Sequence, residues 1–245
     1  MNSKKSNKNK SLVRRFISKL LKYAVICFIL SLFLVLPLRW INPPTSAFMI
    51  RYRLNVWYHE IKGATLQYSW VKWDQISPNA SLAVLAAEDQ KFLDHNGFDY
   101  EAINEAWQKN QHSKKVRGAS TISQQVAKNL YLWPGKSFFR KGLEAYFTLL
   151  IEILWPKQRI MEVYLNIAEF GYGIYGVEAA GKKFFNHPAK RLTKFECALL
   201  AAVLPSPTRL KVDRPSFYVL KRQTWILREM YQLDGIEIDP SLRNK

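Results

Sequence analysis

The feature that most constrains this chain is an uncharged apolar run near its N-terminus. Residues 23–38 read YAVICFILSLFLVLPL, sixteen residues without a charge. In a helix that rises ~1.5 Å per residue, this run alone is slightly short for a ~30 Å hydrocarbon core, but the two leucines at positions 20 and 21 extend it. Arg39 and Trp40 are typical of the membrane interface at its far end. We therefore predict a transmembrane anchor over residues 20–40.

The charges that flank the run predict its orientation. Residues 1–45 contain nine Lys or Arg residues and no Asp or Glu, and most of the basic ones precede the run. Basic flanks stay in the cytoplasm, so the N-terminus is expected there and the rest of the chain outside. The alternative is a cleaved signal peptide, with Thr45-Ser46-Ala47 as its cleavage site. A buried core helix is disfavoured, since nothing so hydrophobic recurs in the chain.

The overall composition indicates an anionic partner and no disulfide framework. The chain has 37 Lys+Arg against 19 Asp+Glu, a net charge of +18, and it stays basic without its first 45 residues. Such an excess favours nucleic acid, an acidic membrane or a phosphorylated substrate. Of the two cysteines, Cys27 lies inside the apolar run, so a disulfide with Cys197 is not expected. The sequence contains no zinc motif, P-loop or dinucleotide fingerprint.

The hydrophobic periodicity predicts a mainly α fold after the anchor. Residues 46–78 mix aromatic and charged side chains, and we expect an irregular lead-in with a short pair of strands. The periodicity is helical from about residue 80. Seven helices follow from it: one after a cap at Asn79 or Ser81, one capped by Asp99, one capped by Ser120, one over 137–154, one over 157–166, one with a Thr193–Glu196 capping box, and one over 215–232.

The first motif is LAAEDQKFLDHNG, residues 85–97. Glu88 falls near the end of a helix on which its neighbours are alanines and leucines. Partial desolvation there would raise the pKa of Glu88 and suit it to proton transfer near neutral pH; the alternative is a helix end turned to solvent. Asp89 and Asp94 are interpreted as solvated or capping groups, and His95 as a structural hydrogen-bonding residue.

The second motif is RGASTISQQVAKN, residues 117–129. Small and hydroxyl residues lead directly into a helix that carries Gln124, Gln125 and Lys128. A helix N-terminus with free N–H groups suits phosphate, and paired amides suit sugar hydroxyls and N-acetyl groups. The alternative is an ordinary capped polar helix.

The third motif places a polar stripe on an otherwise apolar helix. Arg140, Glu144 and Thr148 follow one another at one-turn spacing. An Arg140–Glu144 pair could be simple helix stabilisation worth ~0.2–0.5 kcal/mol, or it could face a cleft and be functional. The fourth stretch, residues 162–185, is interpreted as scaffold, with Glu162 and Asn166 fastening loops.

Residues 130–141, LYLWPGKSFFRK, interleave aromatic and basic side chains. That mixture suits the headgroup region of a bilayer, and a domain core is the alternative.

Taken together, these motifs resemble the monofunctional biosynthetic peptidoglycan glycosyltransferases of glycosyltransferase family 51, over roughly residues 65–210. Five ordered motifs are far more specific than any one of them. The matching residues are Glu88-Asp89-x-x-Phe92-x-x-His95-x-Gly97, Gly118-x-Ser120-Thr121-Ile122-x-Gln124-Gln125-x-x-Lys128-Asn129, Arg140-Lys141-x-x-Glu144, Tyr164-Leu165-Asn166, and Gly171.

The resemblance implies a mainly α, lysozyme-like glycosyltransferase domain with a smaller membrane-proximal lobe, preceded by one transmembrane helix. No transpeptidase domain is expected, since the chain stops at Lys245. The implied organisation is a cytoplasmic basic tail (1–19), the anchor (20–40), a lead-in or linker (41–64), the glycosyltransferase domain (65–235) and a C-terminal tail (236–245).

The resemblance also implies an activity. Lipid II, a disaccharide-peptide on undecaprenyl pyrophosphate, would be polymerised into β1,4-linked glycan strands with inversion and release of undecaprenyl pyrophosphate. Glu88 matches the catalytic base, which deprotonates the 4-hydroxyl of the acceptor. Glu144 matches a second essential carboxylate that positions groups or holds a divalent cation, Mg2+ or Mn2+; no other cofactor is implied. The expected substrate-binding residues are Ser120, Thr121, Gln124, Gln125, Lys128, Asn129, Lys136 and Arg140.

The expected partners are lipid II, the growing strand, the cytoplasmic (inner) membrane and cell-wall synthesis proteins, with no nucleic acid. The catalytic domain would lie on the periplasmic, extracytoplasmic side of a single-pass anchor. Two rival functions remain open: a hydrolase or lytic enzyme on a lysozyme-like fold, and a non-catalytic membrane-tethered binder of anionic polymer.

Overall fold

The computed structural model of the chain describes residues 2–111, 118–135 and 137–233. It divides into two compact units, Met1–Ile41 and Asn42–Lys245. The first unit is helix α1, Asn2–Val35, followed by a 3-10 turn over Leu36–Arg39. The α-helix ends earlier than the sequence predicts, because the proline at position 37 has no N–H with which to continue the ladder.

Within this unit, Arg14–Arg39 is long and apolar enough to cross a membrane, by length and composition. The span has 26 residues, and its most apolar stretch has a mean hydropathy of 2.4. The predicted apolar N-terminal helix is therefore present, and its span begins before residue 20.

The second unit is built mainly of helices, which confirms the predicted fold class. Three short strands accompany them. The helices are α2 Ala47–Tyr58, α3 Pro78–Glu88, α4 Tyr100–Gln111, α5 Ile122–Tyr131, α6 Phe138–Leu154, α7 Lys157–Ile167, α8 Val177–Phe185, α9 Lys194–Val203 and α10 Phe217–Leu233. The strands are β1 Gln67–Tyr68, β2 Glu169–Gly171 and β3 Ile174–Tyr175.

The lead-in differs from its prediction in two ways. Its strand β1 pairs in parallel with β3, and β2 completes the sheet on the other side of β3, so the expected pair within residues 46–78 is wrong. The lead-in also contains helix α2. Ser46 caps it, since its side chain accepts a hydrogen bond from the Met49 N–H (3.2 Å), and Met49 and Tyr52 are buried one turn apart.

Helix α3 begins earlier than predicted. Ser77 occupies the N-cap and Pro78 the first turn, where a missing N–H costs nothing. The Ser77 hydroxyl donates to the Leu192 carbonyl (2.7 Å). The predicted caps, Asn79 and Ser81, lie inside the helix because a proline-led start needs no side-chain cap.

The other caps are local features that the sequence predicts well. Asp99 accepts from the Ala102 N–H at 2.9 Å and caps α4. The Thr193–Glu196 capping box at the start of α9 is confirmed. At α5 the cap is Thr121, one residue later than the predicted Ser120, because Thr121 forms a full capping box with Gln124.

Helix α3 lies at the centre of the second unit. All seven residues 80–86 are buried, and the helix packs against α7, α9 and α10. A helix that is apolar all round is stable only when other elements surround it. Its last residue, Glu88, therefore lies where the helix leaves the core and reaches the surface of a cleft.

Helix α7 fastens the lead-in, as predicted for Glu162 and Asn166. The Asn166 side chain accepts from the Val71 N–H (2.9 Å) and donates to the Val71 carbonyl (3.0 Å). Glu162 accepts from the Trp73 N–H at 3.1 Å. These bonds satisfy backbone groups of the lead-in at Val71 and Trp73, around the start of the 3-10 turn Trp73–Gln75.

Candidate active site

Glu88 lies at the C-terminal end of α3 with both carboxylate oxygens hydrogen-bonded. Gln125 Nε2 donates to Oε2 at 2.9 Å, and an Arg222 guanidinium nitrogen donates to Oε1 at 3.2 Å. The side chain is only 15% exposed. Burial raises the pKa of Glu88, while the Gln125 hydrogen bond and the charges of Arg222 and Lys128 act against that rise. The predicted partial desolvation of Glu88 is confirmed.

Tyr164 fixes the orientation of the amide that contacts Glu88. Its hydroxyl donates to Gln125 Oε1 at 3.3 Å, which leaves Gln125 Nε2 to donate to Glu88. Tyr164 is 1% exposed, and burial raises its pKa well above the ordinary value. Its phenol therefore remains a proton donor at neutral pH, and the amide is held in one sense.

Asp89 is not solvated, but it occupies the C-cap position of α3, so the capping part of its interpretation is confirmed. It is 7% exposed. Its Oδ2 accepts from the Ile122 N–H at the start of α5 (3.0 Å), and its Oδ1 lies 2.9 Å from His95 Nε2. His95 Nδ1 accepts from the Gly97 N–H (3.2 Å), so Nε2 carries the proton given to Asp89. His95 is the structural hydrogen-bonding residue that the sequence predicts.

The hydrogen bond from the Ile122 N–H to Asp89 shows that the N-terminus of α5 already binds an anionic group. The sequence suggests a free N-terminus for phosphate, but the anion found there is the Asp89 carboxylate. The Gln124 N–H donates to Thr121, and the Thr121 N–H donates to Gln124. These three amides are satisfied within the chain and are not free to bind a phosphate.

Thr121 joins the first motif to the second. Its hydroxyl donates to the Gly97 carbonyl at 2.7 Å. Gly97 has φ +89°, and a Cβ there would lie 2.7 Å from Thr148 Cγ2 and 2.9 Å from Glu152 Cγ. Only glycine fits this close passage between α5 and α6 without strain.

Glu144 is buried inside a cluster of positive charge. It is 2% exposed, and its Oε2 accepts from Arg140 at 2.7 Å while its Oε1 binds the Lys141 ammonium. Arg140 is 8% exposed and also donates from Nε to the Gly135 carbonyl (2.8 Å). The polar stripe of α6, which includes Thr148, therefore faces inward and is no solvent-exposed i,i+4 pair.

The two carboxylates border two adjoining cavities. Glu88 lines a cleft of about 620 Å³, and Glu144 lines a second one of about 360 Å³. The two share three predicted residues: Ser120, Gln125 and Lys128. Glu88 and Glu144 therefore lie along one continuous groove.

The remaining predicted binding residues are distributed unevenly. Thr121 lines only the cleft of Glu88, whereas Gln124 and Arg140 line only that of Glu144. Asn129 lines neither cavity. Lys136 lies outside the described residues.

Lys128 is the cation that both cavities share. No hydrogen-bond acceptor or carboxylate within the described ranges pairs with its ammonium, which lies 5.9 Å from the centre of the Phe48 ring. Burial lowers the pKa of Lys128, the charge of Glu144 raises it, and Arg140 lowers it again. A half-buried ammonium of this kind is well suited to bind an anionic ligand.

The side chains around Glu144 do not fit a divalent cation. Both of its oxygens bind cationic partners, Arg140 and Lys141. In the part of the chain that the structure describes, no group of three or more His, Cys, Asp or Glu residues could hold a metal ion. A hard cation prefers several carboxylate or carbonyl oxygens, and this cluster offers ammonium and guanidinium groups instead.

Two side chains at the site were not predicted. Lys141 adjoins Arg140 in the third motif, and that adjacency is a signal that could have identified it. Arg222 lies on α10, 134 residues after Glu88. The sequence around Arg222 contains no motif or periodic signal that links it to the first motif.

The aromatic residues before and at the start of α6 are exposed. Phe138, Phe139 and Trp133 are 96%, 71% and 50% exposed, whereas Leu130 and Leu132 are buried. The core alternative is wrong for these three aromatic side chains. Their exposure beside basic groups favours the headgroup interpretation.

Comparison with known proteins gives consistent results. The family model described as Transglycosylase matches residues 56–231. A "Biosynthetic peptidoglycan transglycosylase" of Aeromonas hydrophila is 50% identical over 229 residues, 94% of this chain and 96% of that protein. Proteins of the same name from Shigella boydii and Escherichia coli O1:K1 are 52% and 53% identical over 228 residues, 92% of each chain.

The family match covers Glu88, the shared groove and Arg222, and the curated relatives span nearly the whole chain. Both the resemblance drawn from the motifs and the predicted mainly α, lysozyme-like class agree with these matches. The chain belongs to the transglycosylase family.

Proposed function

We propose that this chain polymerises lipid II into β1,4-linked glycan strands of peptidoglycan and releases undecaprenyl pyrophosphate. Membership of the transglycosylase family and the names of the curated relatives support this function. The observation that carries it is that a desolvated carboxylate, Glu88, lines one groove together with Lys128, a cation with no partner among the described residues.

Glu88 acts as the general base. Its carboxylate takes the proton from the 4-hydroxyl of the acceptor sugar as that oxygen attacks C1 of the donor sugar. The bond from C1 to the phosphate oxygen breaks, and the electron pair leaves with the pyrophosphate. The configuration at C1 inverts, a β1→4 bond forms, and the proton on Glu88 then passes to water. The raised pKa makes Glu88 a stronger base than an exposed glutamate.

The cationic side chains stabilise the leaving group. A pyrophosphate leaves as a delocalised anion, so it needs positive charge more than it needs a proton. Lys128, Arg140 and Lys141 supply that charge around the second cavity. Glu144 is a positioning residue, because it holds Arg140 and Lys141 in place through both of its oxygens.

The donor set of the site leads us to propose that the chain itself binds no divalent cation for this step. The cations around Glu144 occupy the oxygens that a metal would use. A chelator should therefore leave polymerisation largely unchanged.

The hydrolase alternative fits the site less well. A glycosidase uses two available carboxylates, one as acid and one as base or nucleophile. Glu144 is not available for either role, because both of its oxygens are bound to cations. An excess of cations also serves a pyrophosphate leaving group and not a neutral sugar.

The proposed location follows from the anchor and the substrate. The span Arg14–Arg39 would cross the cytoplasmic membrane once, with the basic N-terminus inside. The second unit would then face the side where lipid II is polymerised, and the exposed aromatics Phe138 and Phe139 would contact lipid headgroups. Cell-wall synthesis proteins are expected partners, and nucleic acid is not.

The test is incubation of the purified full chain with labelled lipid II, with and without a chelator. We expect glycan strands and one undecaprenyl pyrophosphate released for each bond formed. Cleavage of finished glycan without strand growth would contradict the proposal and favour the hydrolase. Binding of lipid II without turnover would favour the tethered binder. If the chelator abolishes the activity, only the proposal that this step needs no divalent cation is overturned.

A further inference from the structure

Arg222 lies on α10, the last helix of the described chain, and contacts Glu88, the proposed base. One guanidinium nitrogen of Arg222 donates to the Ala87 carbonyl (3.3 Å) and to Glu88 Oε1 (3.2 Å). The Ala87 carbonyl belongs to the last turn of α3, where backbone acceptors have no partner within the helix and where positive charge is favourable. Arg222 thus binds the end of α3 and its terminal carboxylate together.

Arg222 differs from the other cation near Glu88. Lys128 influences Glu88 by charge at a distance, and burial lowers the pKa of its ammonium. Arg222 makes a hydrogen bond, its side chain is 20% exposed, and a guanidinium keeps its proton at every pH at which a protein is folded. Only Arg222 therefore offers Glu88 a permanent, directly bonded positive charge within the described residues.

The groups around Glu88 come from three other helices. Helix α5 contributes Gln125 and Lys128, α7 the neutral Tyr164, and α10 Arg222. Asp89 is turned to Ile122 and His95. The same cleft is also lined by the acidic residues Asp99 and Glu105 and the basic residue Lys109.

We propose that Arg222 is a positioning residue that keeps the Glu88 carboxylate ionised and fixed in orientation for proton transfer. This inference rests on the proposed function of Glu88 as a base. Gln125 holds one oxygen and Arg222 the other, so the carboxylate cannot rotate while an oxygen lone pair remains for the incoming proton. Without Arg222, burial would favour the protonated carboxyl, which cannot act as a base.

The test is the pH profile of kcat/KM for lipid II polymerisation by the full chain and by Arg222→Gln. Removal of the cation should move the acid limb to higher pH, because Glu88 then ionises later. At pH values below the wild-type limb the rate should fall by about tenfold or more, as expected for loss of a hydrogen bond to a charged group. The difference in kcat/KM between Arg222→Gln and the wild type should become smaller as the pH rises.

Two further variants separate positioning from a structural role. Arg222→Lys keeps a positive charge and should keep the acid limb near its wild-type position. Arg228→Gln changes an exposed arginine on the same helix that lines neither cavity, and its profile should be unchanged. A purely structural Arg222 would lower the melting temperature and reduce the rate by one factor at every pH, which would overturn the inference. If Arg222→Gln does not fold, a moved limb in Arg222→Lys would overturn it equally.

The proposed function can fail separately from this inference. If the wild-type chain makes no polymer, the function is wrong, and the charge of Glu88 can still be read directly. A carbon-13 carboxyl titration of the full chain, assigned with Glu88→Gln, should show a higher pKa for Glu88 in Arg222→Gln than in the wild type. An unchanged titration would overturn the role of Arg222.

Discussion

At the scale of single residues, the central feature is a carboxylate that is buried at a cost. Burial raises the pKa of Glu88 against the opposing hydrogen bond from Gln125 and the charge of Arg222. A carboxyl with a raised pKa is a better base once ionised, but its ionised form destabilises the folded chain. With Glu88 as the proposed base, function and stability oppose each other at this position.

The first prediction concerns that opposition. An unfolded glutamate has a pKa of about 4.3, and the folded value of Glu88 is higher. Stability linked to the protonated form is complete below the unfolded pKa and is lost as the pH rises through the folded pKa. Glu88→Gln imitates the protonated form, so its melting temperature at neutral pH should equal or exceed that of the wild type.

The measurement is a set of thermal melts by circular dichroism from pH 4 to pH 8. The stabilisation by Glu88→Gln should disappear toward the acidic end, where the wild-type carboxyl is itself protonated. A variant that is less stable than the wild type at neutral pH would contradict the assigned desolvation.

The second prediction concerns Glu144. Glu144→Gln should destabilise the chain, because it leaves the buried guanidinium of Arg140 without its anionic partner. Breaking such a pair typically costs about 3–5 kcal/mol. Polymerisation should fall as Arg140 and Lys141 lose their positions. Urea unfolding and lipid II turnover measure the two effects.

Glu178→Gln serves as a matched control for that variant. Glu178 is also buried, and it binds Lys182 at i,i+4 away from both cavities. It should lose stability and keep turnover at temperatures where the chain stays folded. Unchanged turnover in Glu144→Gln would contradict its positioning role.

At the scale of secondary-structure elements, the site is an arrangement of helix ends. Helix α3 ends at Glu88, and Asp89 continues from it to the first N–H of α5. Thr121 caps α5 and binds the Gly97 carbonyl in the segment between them. Helix termini carry unsatisfied backbone groups, so these contacts stabilise the helices and also position Glu88 and Gln125.

The third prediction uses the two capping boxes of the chain. Thr121→Ala should cost about 1–2 kcal/mol of stability, since it removes the cap of α5 and the bond to Gly97. It should also lower polymerisation, because Gln125 and Lys128 are carried by that helix. Thr193→Ala removes the equivalent cap of α9, which lies outside both cavities.

Chemical unfolding and turnover of both variants check this expectation. Thr193→Ala should lose a similar stability and keep its turnover. Equal turnover losses in the two variants would indicate a general effect of destabilisation and would contradict a special role for the α5 cap.

The elements also show how far the sequence predicts this structure. Local signals are reliable: Asp99 caps α4, and Thr193 with Glu196 caps α9. Non-local pairings are not predicted, because β1 finds its partner in β3 more than a hundred residues away. Arg222 was missed for the same reason, since only the packing of α10 on α3 brings it to Glu88.

Two other features of the structure are not predicted in full, for different reasons. The sequence does not predict helix α2, because its buried residues, Met49 and Tyr52, stand among aromatic and basic residues and form only a short apolar pattern. For Asp89 the sequence leaves a solvated and a capping role open, because charged residues are rarely buried, and its burial depends on partners from α5 and the His95 loop.

At the scale of the whole molecule, a cationic enzyme domain is attached to an apolar helix. The net charge of +18 and the span Arg14–Arg39 both favour an anionic membrane surface. A substrate that carries an undecaprenyl chain does not leave the bilayer. An anchor that confines the enzyme to the same surface therefore raises its effective concentration.

The fourth prediction follows from that confinement. Residues 42–245 form a compact unit, so a chain without residues 1–41 should fold. On lipid II dispersed in detergent its turnover should match that of the full chain. On lipid II in vesicles it should fall by about 100-fold or more, in the range typical of lost multivalency.

Rates in detergent and in vesicles, with melts of both chains, test this expectation. Equal rates in vesicles would contradict the role of the anchor. A mature N-terminus at or just after Thr45-Ser46-Ala47, read by mass spectrometry of the protein from cells, would favour the signal-peptide alternative.

The central claim, that Glu88 is the base of a glycosyl transfer, is tested most directly by the rate of strand growth from labelled lipid II. Glu229→Gln is the matched control, since this glutamate on α10 contacts Gln90 and lines neither cavity. We expect Glu229→Gln to polymerise at the wild-type rate and folded Glu88→Gln to be slower by about 10²–10⁴-fold. Strand growth by Glu88→Gln within tenfold of the wild type would contradict the account.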